Sequence, residues 1–145
     1  MLPDIELYFE YRAQEASVNM EGNPPMEKVN LQKMFSRFHE YWSPRIVGEL
    51  NGQHVKLVKL KGEFVWHHHE SEDELFFVVK GSLDIQFRQK TVTLNEGEFL
   101  IVPRMVEHKP MAREEAQVLL FEPTSTLNTG NVRSDRTVAT PQVLK

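Results

Sequence analysis

Short apolar runs separated by turn residues follow one another along most of this chain, a pattern typical of antiparallel β-strands. Asn51 and Gly52 both tolerate positive φ, so they predict a two-residue hairpin turn between the first two strands. Many short strands with almost no helix between them favour an all-β sandwich or jelly roll. The predicted strands are 45–50, 53–61, 64–69, 74–80, 82–88, 91–94, 98–102, 105–109 and 116–122.

Residues 31–42, which precede these strands, have a helical period instead. Their apolar side chains are spaced three and four residues apart, and Asn30 is a suitable N-cap. We therefore expect one N-terminal amphipathic helix lying across the outside of the β-structure, with His39 on its polar side. The apolar positions are Leu31, Met34, Phe35, Phe38 and Trp42.

The two ends of the chain have a different character. In the N-terminal extension, residues 1–28, Ile5, Leu7 and Phe9 alternate with charged residues, which fits an added strand or dimer arm as well as an untethered tail. The β-domain with its leading helix is assigned to residues 29–123. Residues 124–145 form a polar tail, with a loop at 124–131, an edge strand or arm at 132–138 and a frayed end.

The candidate chemistry is concentrated in residues 62–81, where three consecutive histidines precede an acidic run. On a strand over 64–69, side chains alternate between faces, so His67 and His69 point one way and His68 the other. A tight turn then starts the next strand at Glu74, whose carboxylate can swing back toward the two imidazoles. The segment 97–108 supplies a candidate fourth ligand, His108, after a strand that ends at Pro103.

These two segments resemble the paired motifs of the cupin superfamily. The first motif is matched by Gly62, His67, His69, Glu74 and Gly81, with one residue fewer than usual between Gly62 and His67. The second is matched by Gly97, Pro103 and His108, while Met105 replaces the expected Gly and Ala112 the expected Asn. The resemblance covers about residues 45–122 and is greatest to small single-domain cupins described as mannose-6-phosphate-isomerase-like.

The resemblance implies a double-stranded β-helix barrel with a divalent transition metal bound by His67, His69, Glu74 and His108. Three imidazoles and a carboxylate admit Mn, Fe, Co, Ni, Cu or Zn, and the ligand types do not separate these metals. Glu74 has a second possible role as a catalytic base. The alternative is that the histidines end a solvated hairpin beside a charged loop, but the spacing of Glu74, Gly81 and His108 favours a metal site.

Two classes of function follow from such a site. One is a small metal-dependent enzyme, isomerase-like, epimerase-like or dioxygenase-like, acting on a small oxygen-rich molecule. The other is a non-catalytic module that binds a small molecule. Val65, Phe76 and Val78 are expected to line an apolar pocket, to which Phe87, Phe99 and Met105 are further candidates, and an inward-facing His54 is left open. The candidate phosphate-binding cations are Lys56, Lys59, Arg104 and Lys109, whose spacing does not indicate a clamp.

Charge and composition narrow the partners. The 145 residues carry a net charge of −4 and a pI near 5.9, which disfavours nucleic acid and anionic membranes. The start of the chain lacks the basic and apolar regions of a secretory signal, and no apolar run is long enough to span a bilayer. We expect a cytoplasmic protein that pairs as a homodimer through sheet edges, as single-barrel cupins usually do.

Overall fold

The structure is a computed structural model that describes residues 21–22 and 26–145. The predicted alternating strand at Ile5, Leu7 and Phe9 lies outside the described residues. Leu31–Lys145 form one unit, and every element below belongs to it.

In the described part of the chain, a single short helix precedes eight strands. The elements are α1 (Leu31–Phe35), β1 (Arg45–Leu50), β2 (Gln53–Glu63), β3 (Glu74–Lys80), β4 (Ser82–Gln86), β5 (Thr91–Asn95), β6 (Phe99–Val102), β7 (Lys109–Pro123) and β8 (Gln142–Val143). The strand order is β5-β4-β7-β2-β1-β8, with β3 pairing to both β6 and β7. The pairs are antiparallel except β1 with β8, and the predicted all-β fold is confirmed.

The β1–β2 hairpin forms where the sequence predicts it. Asn51 and Gly52 have φ of 50° and 75°, and the flanking residues Leu50 and Gln53 pair directly. Both signs fit the mirror-image turn that matches strand twist. At another turn, Gly81 has φ of 89°, and a Cβ there would lie 2.8 Å from the Glu115 carbonyl oxygen. Glycine therefore lets the β3–β4 connection pass close to β7.

Alternation along the strands divides the apolar residues between two clusters. Val58, Phe76 and Val118 face the interior from three neighbouring strands, together with Leu60, Val78 and Leu120. Leu57, one residue out of phase with Val58, instead packs on the outer face with Phe35, Phe38 and Leu144. The inner cluster fills the barrel and surrounds the polar site described below.

The predicted helix over 31–42 is too long, because α1 ends at Phe35. The following backbone bonds to β2 instead: the Lys59 ammonium donates to the Phe38 carbonyl at 2.8 Å, and the Trp42 amide donates to the Lys59 carbonyl at 2.9 Å. Trp42 has φ of 58°, outside the helical region. Phe38 and Trp42 are buried as predicted, but each is anchored separately by the sheet, while His39 is exposed.

Three further predicted strands do not form. Residues 64–69 and 105–109 are mostly irregular and are joined by an isolated antiparallel bridge between His67 and His108 and by a hydrogen bond from the Met105 amide to the His69 carbonyl. Likewise, residues 132–138 contain no strand. The chain end is not frayed, since β8 pairs with β1 and the Leu144 side chain is only 7% exposed.

Candidate metal centre

Four side chains from separate parts of the chain converge inside the barrel. The potential ligand atoms of His67, His69, Glu74 and His108 all lie within 4.8 Å of one another, and all four side chains are buried. His67 and His69 come from the irregular segment after β2, Glu74 begins β3, and His108 immediately precedes β7. The structure thus brings together all four residues that the sequence singles out as ligands.

Backbone hydrogen bonds hold the His67 and His108 main chains side by side, and so position their imidazoles. The His67 amide donates to the His108 carbonyl at 3.1 Å, and the His108 amide donates back to the His67 carbonyl at 2.9 Å. In each ring, Nδ1 lies 2.9 Å from a carbonyl oxygen two residues earlier, Val65 for His67 and Val106 for His108. A carbonyl can only accept, so Nδ1 holds the proton and Nε2 presents a lone pair.

The other two side chains complete the cluster at short range. Glu74 Oε1 lies 3.6 Å from His69 Nε2 and 3.5 Å from His108 Nε2. The Met105 amide holds the His69 carbonyl at 2.7 Å. Met105 stands where the motif has Gly, and its φ of 68° shows that the left-handed turn forms without glycine.

The histidine nitrogens supply the test of whether a metal ion fits. His69 Nε2 and His108 Nε2 are buried, and neither has a hydrogen-bond partner among the residues that the structure describes. Leaving a buried polar atom unpaired costs about 1–3 kcal/mol. A cation bound between these nitrogens and the Glu74 carboxylate would satisfy both, so the residues present fit a metal ion.

The protonation states of His67 and Glu74 suit the binding of a cation. Burial, followed by the neighbouring His108, lowers the pKa of His67 to about 4, so its imidazole is neutral at pH 7. Burial alone would raise the pKa of Glu74, but the neighbouring Glu122 carboxyl group and the His108 and His69 imidazoles hold it well below its usual value. Neutral imidazole with an ionised carboxylate is the protonation state that metal binding requires.

Sequence reasoning missed Glu122. Its carboxylate is 1% exposed and accepts a hydrogen bond from Lys56 Nζ at 2.9 Å, while Lys56 itself is 2% exposed. Burial and the Glu74 carboxylate raise the pKa of Glu122 well above its usual value. A signal was present in the sequence, because Glu122 continues the inward phase of Val118 and Leu120 on β7.

A small apolar cavity adjoins the cluster. Its volume is about 30 Å³, enough for a water molecule, since that takes roughly 10–15 Å³ on the same measure. The indole of Trp42 stacks on Phe64 at 4.8 Å on one side. The lining residues are Trp42, Pro44, Val58, Leu60, Phe64, His67, Glu74, Phe76, Pro110, Leu120 and Asn128. Phe76 was correctly expected there, whereas Val65 and Val78 are not in the lining, and Phe99 and Met105 are exposed.

The candidate cations do not meet at a phosphate site. Lys56 pairs with Glu122, Lys59 bonds to the Phe38 carbonyl, and Arg104 lies 3.3 Å from Asp73. Lys109 is 3.3 Å from Glu63. Each cation therefore has its own local partner.

The remaining histidines and acids near the motif have other partners. His54 is half-buried, 3.8 Å from Glu49, and is not among the four converging residues. The His68 side chain is also outside the cluster, as alternation predicts. In the acidic run, Glu70 and Asp73 are exposed, while Glu72 accepts from Ser125 at 2.9 Å.

The segment after β7 packs against the histidines. The Asn131 backbone N–H donates to the His68 carbonyl at 3.0 Å, and the Asn131 side-chain oxygen accepts from the His68 backbone N–H at 2.9 Å. A Cβ on Gly130 would lie 2.1 Å from the His68 carbonyl oxygen and 3.1 Å from the His67 ring. The segment predicted to be a loop is therefore part of the support of the cluster.

The fold and the cluster define a class of protein: a β-barrel with a buried three-histidine, one-glutamate group suited to a metal ion. A family model described as a cupin domain matches residues 54–122. A cupin-2 domain containing protein from Shewanella frigidimarina has a crystal structure that superposes with a TM-score of 0.65, at 48% identity over 66% of this chain and 93% of that chain. The chain belongs to the cupin family.

Two curated proteins are also similar. The uncharacterized protein YdbB of Bacillus subtilis is 39% identical over 64 residues, which are 43% of this chain and 57% of YdbB. The 3-hydroxyanthranilate 3,4-dioxygenase of Xenopus tropicalis is 29% identical over 101 residues, 65% of this chain and 36% of the dioxygenase. The chain thus spans 57% and 36% of these curated relatives. In the part of the chain that the structure describes, every helix is too short or too polar to cross a membrane.

Proposed function

We propose that this protein is a metal-dependent enzyme whose metal is held by His67, His69, Glu74 and His108. The observation that carries the proposal is the pair of buried, unpartnered nitrogens, His69 Nε2 and His108 Nε2, pointed at one carboxylate. A divalent transition metal held there would polarise a bound oxygen or lower the pKa of a bound water. If the bound ion were six-coordinate, these four protein ligands would leave two positions for substrate, water or dioxygen.

The cavity beside His67 and Glu74 is proposed as the part of the substrate site nearest the metal. At about 30 Å³ it admits only a water-sized group, so a substrate would need the site to open further. Aromatic and aliphatic side chains make up most of its wall. A sugar would leave hydroxyl groups without partners there, at a cost of about 1–3 kcal/mol each. An apolar substrate with one or two oxygen atoms suits this lining better. Dioxygenase-like chemistry is therefore favoured over sugar isomerisation, and the similarity to 3-hydroxyanthranilate 3,4-dioxygenase supports the same choice.

Glu74 is proposed to act first as a ligand and, where its bond to the metal is loose, as the base that takes a proton from bound substrate. Its lowered pKa favours the ionised form that both roles need. His67 lines the cavity as well, so substrate bound there would contact the metal cluster directly.

Metal analysis followed by oxygen uptake tests this function. Protein purified without added metal is analysed for its metal content, then depleted, reloaded with Fe²⁺ and given small phenols and enols beside a matched panel of sugars. We expect oxygen uptake with the apolar oxygen compounds and none with the sugars, and loss of uptake in His108→Ala. Turnover of sugars without oxygen uptake would favour the isomerase class. Binding without turnover of any compound would favour a non-catalytic binding module.

A further inference from the structure

A buried lysine–glutamate pair lies inside the barrel directly beside the Glu74 carboxylate. Lys56 and Glu122 are 2% and 1% exposed, and Lys56 Nζ lies 2.9 Å from Glu122 Oε1. Lys56 comes from β2 and Glu122 from β7, so neither belongs to the segments that carry the four proposed ligands.

Strand register shows how the pair reaches Glu74. In the antiparallel β3–β7 pair, Leu75 lies opposite Phe121 and Phe76 opposite Leu120. One further step in this register places Glu74 opposite Glu122, and both side chains are buried on the face that carries Phe76. Residues directly opposite in an antiparallel pair have Cβ atoms about 4.5–5.5 Å apart. The two carboxyl groups therefore face each other.

The hydrogen bonds of Glu122 leave one of its oxygens for that neighbour. Oε1 accepts from Lys56 Nζ, whereas Oε2 is buried and has no hydrogen-bond partner among the described residues. A protonated Glu122 would donate from Oε2 to the Glu74 carboxylate, which would satisfy Oε2 and orient Glu74. The chain Lys56–Glu122–Glu74 then runs from β2 through β7 to the cluster.

Stability alone does not account for this arrangement. Replacing a buried ion pair by apolar residues of similar volume is often neutral or stabilising, by about 1–4 kcal/mol. Orientation of a metal-binding carboxylate does account for it, because such ligands are themselves held by hydrogen bonds from outer residues.

We propose that Lys56 and Glu122 are positioning residues that orient the Glu74 carboxylate for metal binding. This inference rests on the proposed function, since it assigns a role to the pair at the same metal site. Glu122 acts directly on Glu74, and Lys56 acts by fixing Glu122.

Two double variants separate orientation from packing. Lys56→Met with Glu122→Leu removes the ammonium group and the carboxyl group that faces Glu74 but keeps similar volumes. Lys56→Met with Glu122→Gln also removes the ammonium and carboxyl groups but keeps an amide N–H that can donate to Glu74. Co²⁺ titration of the metal-free proteins, followed by visible absorption, measures affinity and coordination without any substrate. Thermal unfolding of the metal-free proteins reports on the fold.

We expect the leucine variant to bind Co²⁺ about 10–100-fold more weakly than the wild type, with an altered absorption spectrum and an unchanged metal-free fold. The glutamine variant should bind within about threefold of the wild type. Wild-type affinity in the leucine variant, or equal weakening in both variants, overturns the proposal.

Glu122→Asp keeps the proposal testable if the leucine variant does not fold. It retains a carboxylate for Lys56 but is one methylene shorter, so it withdraws the group that faces Glu74. Weaker Co²⁺ binding is expected, and unchanged binding overturns the proposal. If the wild type itself binds no Co²⁺ or other divalent metal, the proposed function fails. If it binds metal and the variants match it, only the positioning role fails.

Discussion

His67 and His108 show how a short-range contact prepares a single residue for metal binding. In both, Nδ1 meets the carbonyl oxygen two residues earlier, so Nε2 faces the cluster. The contact lies within three residues of sequence, yet the two segments that use it are brought together by longer-range backbone bonds, namely the His67–His108 bridge and the bond from the Met105 amide to the His69 carbonyl. The tautomer of each imidazole is therefore set by a neighbouring carbonyl, and the position of each imidazole is set by the fold.

We expect His108→Ala to lose metal binding, with affinity falling by more than the roughly 10–100-fold typical of changes outside the ligand shell. Removing this imidazole deletes one ligand and leaves a cavity at a fully buried position. Equilibrium dialysis with Co²⁺ or Zn²⁺ measures the loss. His68→Ala is the matched control, because His68 adjoins two ligands but lies outside the cluster. Equal loss in both variants would contradict the assignment.

The buried imidazole of His67 predicts how the stability of the metal-free protein depends on pH. Its pKa is about 4 in the folded chain and about 6.5 when unfolded, so between these values the unfolded chain binds more protons. The contribution of the buried His67 to the free energy of unfolding is therefore fully present above about pH 6.5 and is lost as pH falls toward 4. It amounts to on the order of 3 kcal/mol. The free energy of unfolding, measured with urea at pH values from 4 to 7, should rise less steeply with pH for His67→Gln than for the wild type. Parallel slopes would contradict the shift.

At the residue scale, the sequence predicted the four residues that cluster, but the strand geometry used to explain one part of the cluster was wrong. His67 and His69 share a direction although residues 64–69 are not the strand from which that was inferred. Glu122 was missed because its neighbour Glu74 is distant in sequence. Only the register of β7 against β3 reveals the contact.

At the scale of elements, residues 127–131 brace the histidine segment. Gly130 has φ of 54°, and its Cα hydrogen points at the His68 carbonyl so closely that a Cβ there would lie at 2.1 Å. The contact is to backbone, so no side-chain rotation can relieve it. The ligand segment is thus supported by its bridge partner His108 on one side and by this loop on the other.

We expect Gly130→Ala to destabilise the fold by several kcal/mol and to weaken metal binding, because the loop and the His67–His69 segment must separate. Thermal unfolding and Co²⁺ titration measure the two effects. Gly97→Ala is the control: its φ is 82°, but no atom of the described residues lies within 4 Å of the added Cβ, so it should cost only about 1 kcal/mol and leave affinity unchanged. Equal behaviour of the two variants would contradict the bracing role.

Elements with local signals were predicted well, and those decided by distant partners were not. The Asn51–Gly52 turn and strand β3 follow from their own residues. The segment 36–42 has a helical period, but hydrogen bonds to Lys59 on β2 draw its backbone away from a helix. Likewise, β8 is too short to be seen without its partner β1.

At the scale of the whole molecule, an apolar outer surface lies on β3 and β6. Phe99 pairs with Phe77 and Ile101 with Leu75, so the four side chains share one face of the sheet. Phe99 and Ile101 are 60% and 51% exposed. Among the described strands, β6 has a neighbour on one side only, which leaves an edge able to pair with another chain.

We expect the protein to be a homodimer that uses this surface, because contiguous exposed apolar residues beside an open strand edge mark an interaction site. Phe99→Lys with Ile101→Lys should give a folded monomer, since it buries two cations in the expected interface. Leu50→Lys is the control, because Leu50 is 45% exposed at the β1–β2 hairpin, away from β6. Size-exclusion chromatography with light scattering measures the masses.

Deleting residues 1–28 separates the surface from the arm as the cause of pairing. A dimer that survives the deletion but not the lysine variant places the interface on β3 and β6, whereas a dimer lost on deletion identifies the extension as an exchanged arm. A wild-type monomer would contradict both explanations of pairing.

The location of the interface matters for function. Glu74 and Phe76 lie on the inner face of β3, toward the metal cluster and the cavity, whereas Leu75 and Phe77 lie on its outer face. A dimer at this surface would therefore stiffen the strand that begins with a proposed ligand, and the lysine variant should bind Co²⁺ more weakly than the Leu50→Lys control.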